Sequence, residues 1–163
     1  MTSTIYELDR DFEALVSRIG GAVHPARMRT LRIGLHDRVP SNDSFDALTV
    51  AREYVSFLGL PVDEIGMFRQ ASRTQVEAAC KSLAGFALET TSRQMPPETA
   101  ERLATAWLAK LPQAAVFLIN GPGALETPPT VDDARSLFHT DMEAGVLALS
   151  LTKVGMFWSA ENS

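Results

Sequence analysis

The sequence predicts an α+β fold, with a helix-rich N-terminal two-thirds packed on a small mixed sheet of about three strands ordered β-α-β-β at the C-terminus. Three observations predict it. Gln113–Asn120 (QAAVFLIN) holds an unbroken apolar run, Ala114 to Ile119, between Pro112 and the turn-former Asn120-Gly121-Pro122-Gly123. A run of that kind, too short for a helix and rich in Val, Phe and Ile, marks a central strand buried on both faces. Upstream, apolar residues recur at spacings of three and four, the period of amphipathic helices. Downstream, Gly145–Leu151 and Val154–Ser159 are two further strand-like stretches joined at Thr152-Lys153.

The first helix is expected after Thr4-Ile-Tyr-Glu7, which has the form of a capping box. It would align Leu8, Phe12, Leu15, Val16 and Ile19 and stop at Gly20-Gly21. From His24-Pro25 to His36 two patterns compete. As a helix, Pro25 opens it and Met28, Leu31 and Leu35 align; as a strand, Leu31, Ile33 and Leu35 alternate with Arg32, Gly34 and His36. We read a helix, which must absorb Gly34 at roughly 1 kcal/mol. Val39–Ser44 is a turn cluster, and the helix that follows carries Leu48, Ala51, Val55 and Leu58 to a stop at Gly59. Leu60–Gln70 reads as a loop with one helical turn within Asp63–Phe68. Ser72-Arg-Thr-Gln75 caps a helix running to about Ser92. Pro96-Pro97-Glu98 starts another, with Leu103, Trp107 and Leu111, ended by Pro112. After the apolar strand, Thr130-Val-Asp-Asp133 suggests a short helix ending near His139, so that a parallel right-handed crossover would join strand to strand.

Composition narrows the function classes. At 163 residues, 45% hydrophobic and 21% charged, the chain reads as one globular domain, 1–163, rather than a disordered or coiled-coil one. No apolar run approaches the roughly 20 residues of a membrane span. The opening MTSTIYELDRDF lacks the basic start and apolar stretch of a signal peptide, and Cys80 is the lone cysteine. A reducing cytoplasm is therefore expected, with no cofactor and no metal. Cys80 itself falls on an apolar helical face and reads as a core residue.

No P-loop, nucleophile elbow, paired histidines at i and i+4, or cysteine pair is present. His139 with Asp141 and Glu143, near Asp132 and Asp133, is the candidate for acid–base or cation chemistry; a histidine at a helix C-terminus also has a dipole reason to be there. Asn120, Gly121 and Gly123 leave the apolar strand at its C-terminal end, where open α/β sheets bind ligands, though a plain turn explains them as well. Between Arg18 and Arg38 five arginines face one acid, Asp37. Arg29, Arg32 and His36 in that stretch are candidate ligands for a phosphate or carboxylate, with Arg27 and Arg38 beside them. The stretch lacks interleaved aromatics and the net charge is −5, so nucleic acid is not the expected partner. Pairing with the acidic C-terminal third is the simpler role. Met156, Phe157 and Trp158 make both faces of the last strand apolar. If that strand were an edge, a second copy of the chain would cover it, and a homodimer through these residues is expected.

These readings favour a non-enzymatic binding module with a protein or small-molecule partner. The alternatives are a small enzyme using His139 and its acids or a cleft by Gly121, and a phosphate or nucleic-acid binder using Arg27–Arg38.

Overall fold

The computed structural model describes residues 3–21, 23 and 25–162. Its strands are β1 (Ile5–Leu8), β2 (Leu31–Val39), β3 (Arg69–Ala71), β4 (Val116–Ile119), β5 (Met142–Leu149) and β6 (Lys153–Glu161). Its helices are α1 (Arg10–Gly20), α2 (Pro25–Thr30), α3 (Ala47–Phe57), α4 (Arg73–Gly85) and α5 (Pro97–Ala109). The strands form one sheet in the order β1-β2-β6-β5-β4-β3, and every neighbouring pair is antiparallel. This corrects the expected small mixed sheet of about three strands. β4 and β5 pair antiparallel, so there is no parallel crossover between them.

The additional strands lie where the sequence offered competing signals. Thr4-Ile-Tyr-Glu7 does not cap a helix. Ile5–Leu8 pairs with His36–Val39 instead, and Asp9 is the N-cap of α1, accepting from the Phe12 amide at 3.0 Å. The helix expected across 25–36 stops at Thr30, whose hydroxyl donates to the Arg27 carbonyl at 2.8 Å. From Leu31 the chain alternates, burying Leu31 and Leu35 on one face, and pairs with β6 from Leu31–Ser159 to Asp37–Lys153. His24, at the head of that stretch, lies outside the described residues. β3 falls in the expected loop, next to a 3₁₀ turn at Ile65–Met67. The capping box at Ser72 and Gln75 forms, but α4 ends at Gly85 rather than Ser92, and Phe86 then bridges to Arg93.

No helix forms over Thr130–His139. The amides of Leu137, Phe138 and Thr140 donate to the Glu143 carboxylate rather than along a helix. Tertiary acceptors take the amides just before these, Arg135 N donating to Asn120 O and Ser136 N to the Glu64 carboxylate, and override the acidic first-turn pattern.

The apolar run in β4 is buried on both sides, with Phe117 at 2% exposure. Phe117 and Ile119 face the core under α1, α4 and α5, while Leu118 joins the core under α3. Its place in the sheet differs from the expected centre, because β3 is its only neighbour on one side and that strand is an edge. The centre is held by β6 and β5. β6 lies between β2 and β5, and Met156, Phe157 and Trp158 are all buried within the chain. The premise for a homodimer through these three residues, an apolar edge strand, is therefore removed. Among the described residues no helix is long and apolar enough to cross a membrane.

Candidate functional site

The side of the sheet facing α3 carries a cleft of about 230 Å³, lined by Arg32, Ile33, Gly34, His36, Tyr54, Leu58, Leu60, Phe138 and Met156. The alternation of β2 creates it. Leu31, Ile33 and Leu35 pack into the core under the helices, which turns Arg32, Gly34 and His36 to the opposite face. Met156 stands opposite Gly34 across the β2–β6 ladder. One wall comes from Tyr54 on α3 and from Leu58 and Leu60 just beyond it, the other from Phe138 in the irregular segment before β5.

Gly34 is the feature that the fold itself does not require. A Cβ built there would meet nothing within 4 Å. Gly155, opposite Leu35 on the same ladder, is the contrasting case: a Cβ would come 2.6 Å from Leu35 Cδ2 and 3.1 Å from Trp107 Nε1. Packing explains Gly155. A glycine inside a nine-residue strand, with open space above it, weakens the strand by roughly 0.5–1 kcal/mol and often marks a place where a ligand approaches the backbone.

The polar groups of the cleft are few. His36 Nδ1 lies 3.0 Å from the hydroxyl of Tyr54. Burial lowers the His36 pKa and raises that of Tyr54, so at neutral pH both are uncharged. The Tyr54 hydroxyl and Nδ1 share one hydrogen bond, whose direction follows the imidazole tautomer. The imidazole meets Tyr54 and Phe57 edge-on, with centroids 5.5 and 5.4 Å apart. Phe57 in turn stacks on Tyr6 at 4.5 Å. Arg32 is exposed, its Cζ lying 5.5 Å from the Phe138 ring centroid. Among the described residues Arg32 has no ion pair and no hydrogen-bond acceptor for its guanidinium.

The other arginines of the stretch are placed differently. Arg27 is 3% exposed and closes the end of α4, donating to the carbonyls of Leu83, Ala84 and Phe86 with Glu161 at 3.5 Å. It satisfies acceptors that a helix C-terminus leaves open. Burial, partly opposed by Glu161, lowers its pKa to about 10. Arg38 is buried too, donating to Leu151 O at 2.9 Å and pairing with Glu53 at 3.2 Å. Arg29 is exposed on α2, outside the cleft. Of the expected cationic group, only Arg32 and His36 come together at one site.

His139, Asp141 and Glu143 do not converge on a reacting centre. Glu143 is 4% exposed, and its oxygens accept from Ser136 Oγ, the amides of Leu137 (2.8 Å), Phe138 (3.0 Å) and Thr140 (3.2 Å), and Trp158 Nε1 (3.0 Å). Burial alone would raise its pKa, but these donors outweigh it and keep the carboxylate ionised. Its task is to close the turn from Ser136 to Thr140. His139 is exposed, in a left-handed conformation with φ of 55°, its amide held by Ser136 Oγ at 2.9 Å. The amide of Asp141 donates to Asn162 Oδ1 at 3.1 Å.

Asn120 spends its side chain on backbone groups, donating to Arg135 O and Glu143 O and accepting from the Gly145 amide. A Cβ on Gly121 would lie 2.9 Å from Ala134 Cα, and one on Gly123 would run into Thr130. The end of β4 is thus packed against the chain's own 130–134 segment. Among the described residues no group of three or more His, Cys, Asp and Glu side chains could hold a metal ion.

Arg32 and His36 are legible as a cationic stretch, but Gly34 is a cost in the helix reading and stands between them only in the strand reading. Its position within the strand alternation was the available signal. Tyr54, Leu58, Leu60 and Phe138 reach the cleft only through the tertiary fold, and nothing in their local sequence marks them.

No family model matches the chain, and neither a curated protein nor a solved structure matches it significantly.

Proposed function

We propose that the protein is a non-enzymatic binding module whose ligand is a small molecule held in the cleft between β2 and α3. The observation that carries this reading is Gly34: a glycine that costs the strand stability, whose Cβ would meet nothing within 4 Å, and that floors a cleft whose rim cation, Arg32, has no ion pair among the described residues. Mostly apolar walls with a few convergent polar groups are the usual make-up of a small-molecule site. The remaining candidate groups support a binding role over a catalytic one. Glu143 is fully engaged in holding a turn, and His36 is bonded to a tyrosine rather than to a nucleophile or a carboxylate. Arg27 and Arg38 turn inward, which leaves the arginine stretch without the continuous basic face that a polyanion needs. We place the protein in the cytoplasm, where a buried, protonated Cys80 stays reduced.

The test is a titration of isotope-labelled protein, followed through its amide resonances, with four aromatic probes of differing charge: benzoate, benzamide, benzylamine and phenyl phosphate. At least one is expected to shift the amides of Gly34, His36 and Tyr54, and Gly34→Val, which fills the floor, is expected to abolish those shifts. If none of the four moves these amides at millimolar concentration, or if Gly34→Val responds like the parent, the cleft is not the site.

A further inference from the structure

Resting on this reading of the cleft, we propose that its ligand is a small monocarboxylate with an apolar or aromatic body, the carboxylate held by Arg32 and the body lying over Gly34 and Met156. Size sets the first limit. About 230 Å³ is the volume of roughly eight waters at ~30 Å³ each. That is below the ~300–1,000 Å³ of sites for drug-sized ligands, so the ligand has on the order of ten non-hydrogen atoms.

Charge sets the second. The chain carries a net charge of −5, yet among the described residues no aspartate or glutamate lines this cleft, and Arg32 is the one charged side chain that does. Phe138 takes the guanidinium as a cation–π partner, and its in-plane N–H fork has no protein acceptor among the described residues. A neutral ligand would leave that fork unmatched, and a cationic one would be repelled. A carboxylate matches it with two parallel hydrogen bonds. A phosphate ester brings close to two negative charges against a single lining cation, since the other basic residues of the stretch are engaged elsewhere or lie outside the cleft. His36 adds a neutral imidazole whose Nε2 has no partner among the described residues.

The same four probes decide the matter, now through their relative affinities. Benzoate is expected to bind about tenfold more tightly than benzamide, a difference of ~1.4 kcal/mol. Benzylamine is expected to be the weakest, and phenyl phosphate weaker than benzoate. Arg32→Gln should bring benzoate down to the level of benzamide without changing benzamide, and Arg32→Lys should keep part of the preference. Equal binding of benzoate and benzamide, or an Arg32→Gln protein that still prefers benzoate, would overturn the carboxylate assignment while the cleft reading stands. Tighter binding of phenyl phosphate would also overturn it, in favour of a phosphate. Silence from all four probes would take down the cleft reading as well. Should Arg32→Gln fail to fold, the charge series on the parent protein decides alone.

Discussion

On one face of the sheet α1, α2, α4 and α5 cover a core that includes Phe12, Leu83, Leu103, Trp107, Phe117 and Phe157; on the other, α3 and the irregular segments around Leu60 and Phe138 cover a smaller one. The first face is closed by apolar packing, with its one indole N–H donating to Gly34 O at 3.1 Å. The second mixes apolar residues with Tyr54, His36, Arg38 and Glu53, and leaves the strip above Gly34 open. The same strand, β2, serves both. Leu31, Ile33 and Leu35 pack under the helices, while Arg32, Gly34 and His36 turn to the α3 side. The difference separates two roles: the larger apolar core lies on the four-helix face, and the cleft proposed to hold a ligand lies on the face under α3.

The largest effect is expected from breaking the closed face. Trp107 is fully buried and meets Phe157 edge-on at 5.5 Å. Trp107→Ala should destabilise by about 3–5 kcal/mol in urea unfolding, enough to unfold a marginal domain. A loss below about 1 kcal/mol would mean that the two faces do not differ as described.

On the other face, Glu143 is the buried polar anchor. Glu143→Ala leaves Trp158 Nε1 and the amides of Leu137 and Phe138 without their acceptor. A loss of about 3 kcal/mol is expected, given ~1–3 kcal/mol for each unmatched buried group and some relief by entering water. Hydrogen exchange should show Ser136–Thr140 opening first, and unchanged protection there would contradict its role as the turn's acceptor.

These two predictions also show how much was legible. β4 could be read because a run apolar on both sides has few alternatives, and α3, α4 and α5 because their starts and apolar periods agree. β1 and β2 were hidden by local rivals. Thr4 and Glu7 mimic a cap that Asp9 in fact supplies, and Pro25 begins a real helix that ends one residue before β2. The 130–139 segment has the local marks of a helix start, but Asn120 O, Glu64 and Glu143 claim its amides from Arg135 onward. Half of the cleft shared this fate, because Tyr54 and Phe138 meet β2 only once the sheet is assembled.

A smaller effect is expected in acid. Burial alone would raise the Asp9 carboxyl, but Lys153 Nζ at 2.6 Å, the Phe12 amide and Lys110 outweigh it and hold the pKa at about 2. A depressed carboxyl stabilises the fold fully above its unfolded value of ~3.9, and that contribution is lost as pH falls toward 2. Between pH 5 and 2 the parent should lose about 2 kcal/mol through this group, in addition to losses from other carboxylates such as Glu143. Asp9→Asn should be less stable at pH 7 and show a correspondingly shallower decline. Parallel profiles for the two proteins would contradict the assignment.

The most direct measurement of the central claim is the unfolding free energy of Gly34→Val in urea, beside the parent. If Gly34 is there for a ligand and not for the fold, valine meets open space, suits a strand, and should leave stability unchanged or raise it by up to about 1 kcal/mol. A Gly34→Val protein destabilised by more than about 1 kcal/mol would show that the fold itself requires the glycine. The case for a ligand site above β2 would then be lost.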